Sequence, residues 1–223
     1  MNLDLCVITD ETIAGGISHR EIARAAIAGG ADVVQLREKN CSCRQMVRTG
    51  KEISAMTRGK ATLFIVNDRL DVAIACGADG VHLGQKDIRA DTARQIAPPG
   101  FIIGVSVGSV AEAEQAVKDG ADYIALSPVF DTTSKINAGP AHGLLLLKKI
   151  RNRVPVPLIA VGGINLSNVE AVIGAGADGI AVISAVVGSP DISEAACEMK
   201  SRIRKSRTAG KSHGHPGHAG DNL

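Results

Sequence analysis

The sequence predicts an α/β protein folded as a (β/α)8 TIM barrel in a single domain. The triplet Gly-Ala-Asp occurs four times, beginning at Gly30, Gly77, Gly120 and Gly176, and each copy runs into an apolar stretch. Its spacings of 47, 43 and 56 residues suit two strand–helix units per copy, so four copies make eight units. The apolar stretches are short and continuous rather than alternating, as in parallel strands buried on both faces. A chain of 223 residues holds one such barrel at the short end of its size range.

Strands are expected at 5–9, 33–36, 62–66, 80–83, 102–105, 123–126, 157–161 and 179–183. Between them, amphipathic stretches of helical period cover 18–29, 42–57, 69–76, 88–96, 109–119, 142–151, 165–174 and 191–204. Ser18 with Glu21, and Ser109 with Glu112, have the spacing of a capping box. In each triplet the Gly closes a helix in the left-handed region, the Ala packs tightly, and the Asp supports the turn into the strand. This end of the strands carries stability rather than chemistry. From Arg202 onward periodicity is lost and Gly, Lys and His accumulate. Residues 1–205 are therefore read as the barrel domain and 206–223 as a flexible, disordered tail, whose His213, His215 and His218 are given no function.

Composition narrows the function classes. The net charge is +2, and there is no Trp, one Tyr and three Phe. Neither a basic footprint nor stacking platforms for nucleic acid are present. No apolar run reaches membrane-spanning length, and Met1-Asn2-Leu3-Asp4 lacks the features of a signal peptide. Five cysteines without framework spacing point to reduced thiols in a cytoplasm. Cys41-Ser42-Cys43 is the only close pair, and no second Cys/His pair stands at zinc-site spacing. The expected partners are small molecules.

The informative residues follow the strands. After the second comes Gln35-Leu36-Arg37-Glu38-Lys39, where period-two alternation puts Gln35, Arg37 and Lys39 on one face. Two cations and an amide at a barrel mouth suit a phosphate or diphosphate; an exposed charged loop is the plainer alternative. After the third strand comes Asn67-Asp68-Arg69, and after the fourth Gly84-Gln85-Lys86-Asp87. Asp68 and Asp87 lie on neighbouring loops, and two carboxylates with phosphate oxygens suit Mg²⁺. Helix N-capping is the alternative for both. Ser106 follows the fifth strand, and the long polar loop Ser127–Lys135 follows the sixth. Gly162-Gly163 and Ile183-Ser184 follow the last two strands, where barrels commonly bind phosphate through backbone N–H groups. These loops read as two anion sites in one mouth, and hence as a transferase with a diphosphate leaving group. His82 is expected to be a hydrogen-bonded structural residue, and His19 and His142 surface residues at helix starts.

Taken together, Gln35–Lys39, Asn67-Asp68-Arg69, the run from Ala78 to Asp87, the Thr/Ser-Lys loop and Val161–Ile164 resemble the thiamine-phosphate synthase family. The resemblance spans residues 5 to about 200. It implies that 4-amino-2-methyl-5-(diphosphomethyl)pyrimidine is joined to 4-methyl-5-(2-phosphoethyl)thiazole, or its carboxylated form, releasing pyrophosphate. By that resemblance Gln35, Leu36, Arg37, Glu38, Lys39 and Asn67 hold the pyrimidine diphosphate. Asp68 and Asp87 hold Mg²⁺, and Ser106 and Lys135 contact the pyrimidine or its leaving group. Thr132, Thr133, Ser134, Gly163, Ile183 and Ser184 hold the thiazole phosphate. Arg37, Lys39, Ser106 and Lys135 are the residues expected to assist catalysis. Two loops depart from the family pattern: Gly108 stands where many relatives have His, and Asp131 and Ser134 replace Pro and Thr. The rival on the same fold, a thiazole tautomerase, carries a His at the place of Gly108 and lacks the full aspartate pair.

Overall fold

The computed structural model describes residues 1–134 and 139–211, the last three by backbone alone. Eight parallel strands close in chain order: β1 (Leu5–Ile8), β2 (Val33–Leu36), β3 (Leu63–Asn67), β4 (Gly80–Leu83), β5 (Ile102–Val107), β6 (Tyr123–Leu126), β7 (Leu158–Val161) and β8 (Gly179–Val182). β8 closes on β1, with Leu5 opposite Ile180 and Val7 opposite Val182. The helices are α1 (His19–Ala28), α2 (Cys43–Thr57), α3 (Leu70–Cys76), α4 (Ala90–Ile96), α5 (Val110–Lys118), α6 (Gly143–Arg151), α7 (Val169–Gly174), α8 (Ser184–Val187) and α9 (Ile192–Lys211). The expected barrel is present, element by element.

Three boundaries differ. α7 begins at Val169 rather than 165 because side chains there compete for the backbone: Asn168 Oδ1 accepts from Asn165 N at 2.9 Å, and Asn165 Oδ1 from Ser167 N at 2.8 Å. α8 was not foreseen, since four residues continuing the apolar run of β8 show no helical period. α9 runs on to Lys211, so the expected domain end at 205 falls inside a helix. Arg207 explains the extension, donating to the Asp4 carboxylate and to Asp178 O on the barrel floor. Residues 212–223, with the three tail histidines, lie outside the described residues.

Period-two alternation divides the apolar side chains into two shells. Cys6, Ile8, Val33, Ile65, Tyr123, Ala125, Ile159 and Ala181 fill the barrel. Leu5, Val7, Val34, Leu36, Phe64, Val66, Val81 and Leu83 pack in the larger shell against the helices. Gly104 makes room for the inner shell, because a Cβ there would run into the Tyr123 ring.

The repeated triplet has a definite job. All four of its glycines have positive φ, the helix-closing conformation expected of them. Each aspartate accepts from a backbone N–H of the preceding odd-numbered strand. Asp32 takes Leu5 N at 2.9 Å, Asp79 takes Phe64 N at 2.7 Å, Asp122 takes Ile103 N at 2.7 Å and Asp178 takes Leu158 N at 2.8 Å. Thus the Asp clasps the neighbouring strand as well as entering its own, and four identical clasps fix the register around the floor.

Candidate active site

The deepest residues of the mouth rise from the inner shell. Buried Gln35 of β2, His82 of β4 and Tyr123 of β6, with partly exposed Ser106 of β5, line one cavity on the barrel axis. His82 Nε2 lies 2.8 Å from Ser106 Oγ, and Nδ1 lies 3.0 Å from Tyr123 Oη. The two rings stack with centroids 5.5 Å apart. His82 is therefore hydrogen-bonded and structural, as expected, but its role is to hold the site hydroxyl of Ser106. Burial pushes the Tyr123 phenol well above its ordinary value, so it stays protonated. Gln85, which the sequence reading passed over, donates to Ser106 O at 2.7 Å and ties the β4 loop to β5.

The loop after β2 separates into two faces. Arg37 Nη1 donates to Asp10 Oδ2 at 2.8 Å, and both side chains are only 14% exposed. Lys39 is 58% exposed, with Nζ 3.9 Å from Asp68 Oδ2. These two stand as a cationic edge to the mouth. Leu36 and Glu38 point the other way. The Leu36 side chain is fully buried against the helices, which leaves its backbone as the part able to meet a ligand. The Glu38 carboxylate is committed to His19 Nε2 at 3.0 Å and Asn40 N at 2.6 Å. Burial works to raise its pKa, but these hydrogen bonds and the His19 charge prevail and lower it. Through these contacts Glu38 shapes the loop. His19, expected on the surface, is 5% exposed, with Nδ1 2.8 Å from Thr9 Oγ1.

Asn67 ends β3 opposite His82 of β4. Asp68 follows it with φ 63, the sole non-glycine with positive φ among the described residues, and its N–H donates to His82 O at 2.8 Å. Such backbones collect at functional sites. Neither Asp68 nor Asp87 caps a helix: the N-cap residues are Arg69 and Arg89, and neither α3 nor α4 has a side-chain cap. That removes the plainer reading of both aspartates. The Asp87 carboxylate instead accepts from Gly84 N at 2.7 Å, which shapes the loop after β4.

A second cavity adjoins the first, the two sharing Val161 and Ala181 as a common wall. Thr132, Ser134, Gly163, Ile183 and Ser184 line it, and Ser134 Oγ donates to Ser184 Oγ at 3.2 Å. Thr133 sits on its outer rim with Asp131 and Asn165. Ser184 opens the short helix α8 directly after β8. The glycine pair was expected to admit a phosphate, yet loop packing already demands Gly163. At φ 64, a Cβ there would stand 2.5 Å from Asp131 O and 2.7 Å from Phe130 Cβ. Lys135 lies outside the described residues.

Tyr123, which lines the first cavity, and Asp10, which holds Arg37, were missed. The usable signal for Asp10 was its position, two residues past the end of β1. Gly108, where the rival enzyme carries His, lies under the imidazole of His142, whose Nε2 is 3.1 Å from where a Cβ would stand.

A closed parallel barrel whose polar side chains, Gln35, Asn67 and Ser106 among them, gather toward the carboxyl ends of its strands defines a TIM-barrel enzyme. The chain belongs to the thiamine monophosphate synthase family, whose model matches residues 5–186. Thiamine-phosphate synthase of Methanoregula boonei is 60% identical over 93% of this chain and 96% of its own. That of Methanoculleus marisnigri is 56% identical over 95% of this chain and 100% of its own. The solved thiamine phosphate pyrophosphorylase of Pyrococcus furiosus superposes with a TM-score of 0.85 at 43% identity, over 92% of this chain and 97% of that one. Family members are transferases of thiamine biosynthesis. Among the described residues no helix is long and apolar enough to cross a membrane.

Proposed function

We propose that this chain condenses 4-amino-2-methyl-5-(diphosphomethyl)pyrimidine with 4-methyl-5-(2-phosphoethyl)thiazole, forming thiamine phosphate and pyrophosphate. The observation that supports this best is the pair of cavities with a shared wall. One is lined by Gln35 and Ser106, the other by Thr132, Ser134, Gly163, Ile183 and Ser184. These cavities underlie two adjacent positions at the mouth: a pyrimidine seated above the first and a phosphorylated thiazole above the second would place the two reacting centres side by side, which removes much of the entropic barrier.

In this reading Gln35 and Ser106 orient the pyrimidine ring, with His82 fixing the Ser106 hydroxyl. Arg37, held by Asp10, and Lys39 face the diphosphate with Asn67. Their positive charge stabilises the negative charge gathering on pyrophosphate as the carbon–oxygen bond breaks. Lys135 is assigned the same task from its sequence position. The amino-substituted ring stabilises the methylene cation left behind, and the thiazole nitrogen attacks it. No residue need act as a covalent catalyst. An isotope effect or trapping experiment showing carbon–nitrogen bond formation before pyrophosphate loss would overturn this order of events.

Asp68 and Asp87 fit Mg²⁺ by donor chemistry: two hard carboxylates on adjoining loops, neither used as a helix cap. When bound, the ion would neutralise the diphosphate and assist its departure. Cytoplasmic residence is supported by five free cysteines. The tautomerase alternative lacks support from the relatives, which are thiamine-phosphate synthases at 60% and 56% identity. The direct test supplies both substrates and Mg²⁺ to the purified protein and follows thiamine phosphate and pyrophosphate together. Stoichiometric appearance of both is expected, and tight binding without turnover would refute the assignment.

A further inference from the structure

Beside the mouth, outside the barrel wall, lies a group of side chains that the reaction does not use. Glu11, His19 and Glu38 bring one ligand atom each to within 4.8 Å of one another. His19 Nε2 is 3.0 Å from Glu38 Oε2 and 3.9 Å from Glu11 Oε1. Ligands of one ion, each about 2.0–2.2 Å from it, stand at such separations. Three segments supply them: the loop after β1, the start of α1 and the loop after β2.

Two further features bear on what this group holds. Among the described residues no Lys or Arg pairs with either carboxylate, the nearest basic partner being His19 itself. Two negative charges, one of them half-buried, thus stand beside a single imidazole, with Glu11 Oε1 also accepting from His19 N at 2.9 Å. The other face of that imidazole is fixed, since Nδ1 meets Thr9 Oγ1 at 2.8 Å. An outer hydrogen bond on one ring nitrogen that aims the other at a cation is the usual second partner of a metal-bound histidine. The group also opens on a cavity lined by Cys41, Gln45 and Thr49, which gives an ion and its waters a way in.

We propose that Glu11, His19 and Glu38 form a divalent-cation site distinct from the Asp68 and Asp87 pair. Two carboxylates and one imidazole suit a first-row ion such as Mn²⁺ better than Mg²⁺, which prefers all-oxygen surroundings. The ion replaces the proton on His19 Nε2, and Nδ1–H then donates to Thr9. Its effect is to clamp the loop after β2. Glu38 lies between Arg37 and Lys39, and Glu11 follows Asp10, the partner of Arg37. Binding therefore stiffens the segment that carries both cations of the mouth.

The test counts bound Mn²⁺ by electron paramagnetic resonance on the full chain, stripped with a chelator and titrated without substrates. To keep the Asp pair out of the count, the titration is repeated in Asp68→Asn/Asp87→Asn. That double variant should still bind one Mn²⁺ per chain at micromolar concentration. Glu11→Gln, at a side chain 45% exposed, should keep its fold and lose that ion. His19→Gln should do the same, each weakening binding by more than the roughly 10–100-fold that an outer partner is worth. Loss of the ion in the double aspartate variant, or unchanged binding in Glu11→Gln with native circular dichroism, would overturn the proposal. So would saturation only at millimolar Mn²⁺ in the wild-type chain.

Discussion

Asp68 has a left-handed backbone, φ 63, at the end of β3. Aspartate tolerates that region better than most residues, but the conformation still costs on the order of 1 kcal/mol or more. The strain aims the carboxylate out of the loop, and the neighbouring helix does not use it as a cap. This yields a prediction that separates chemistry from strain. With Asp68 as a ligand of the proposed Mg²⁺, Asp68→Asn and Asp68→Gly should both slow turnover by orders of magnitude and weaken its response to added Mg²⁺. Asp68→Gly, relieved of the strain, should melt within a few degrees of the wild type. Full activity in either, measured as pyrophosphate release against Mg²⁺, would remove Asp68 from the metal assignment. His82 acts at the same scale by different means. His82→Leu leaves Ser106 Oγ and Tyr123 Oη without the partner they share, which should destabilise the fold by roughly 1–3 kcal/mol. A denaturant titration checks this. If Ser106 depends on His82 for its orientation, kcat falls as well; a loss of stability alone would leave His82 with packing only.

Among the elements, the loop after β6 and the loop after β7 fit together through Gly162 and Gly163. Val129 N donates to Val161 O at 2.8 Å and Phe130 N to Gly162 O at 3.1 Å. Gly163→Ala combines positive φ with a collision against Asp131 O, so the loop carrying Thr132 to Ser134 must shift. The expected result is a KM for the thiazole phosphate raised about tenfold or more, with the KM for the pyrimidine diphosphate little changed. Equal effects on both would mean that the two cavities are not separate subsites. The eight strands were legible in the sequence because each is a short, mostly apolar run, four of them entered directly from a Gly-Ala-Asp triplet, signals contained within one segment. Most of the site was legible for the same reason, since barrel chemistry gathers at strand ends. What escaped is what depends on facing a neighbour. Period two allowed Leu36 and Glu38 to be turned away from Arg37, but the direction shows only once Glu38 meets His19. His19 looked like a surface residue because burial under Glu38 and Thr9 comes from other segments. α8 escaped because a single turn has no period to read.

For the whole molecule, the floor of the barrel is a closed set of balanced charges that ties both ends of the chain together. Lys200 of α9, 4% exposed, pairs with Asp4 at 3.0 Å and with Asp32, the first of the four clasping aspartates. Arg207 reaches Asp4 from one to two turns further along α9. For the Asp4 carboxyl, burial acts to raise the pKa, but hydrogen bonds from Lys200 and Arg207 and their charges prevail and lower it. A lowered folded pKa gives stability that is complete above the ordinary carboxylate range and is lost as pH falls through the folded value. Removing one partner of a buried charge set leaves the others uncompensated, at about 3–5 kcal/mol. Lys200→Met keeps the length of the side chain and removes its charge, leaving Asp4 and Asp32 facing each other. Its melting temperature at pH 7 should fall by roughly 6–20 °C for a chain of this size. The loss should be smaller at acid pH, where protonation of Asp4 weakens the pairing that favours the wild type. Because this floor lies at the opposite end of the strands from the loops that carry the candidate site, kcat well below the melting temperature should hold near the wild-type value. A calorimetric scan across pH, paired with a rate measurement, checks both halves. A fall in melting temperature that does not shrink with acidification would mean that packing of the α9 side chain, rather than its charge, secures the helix.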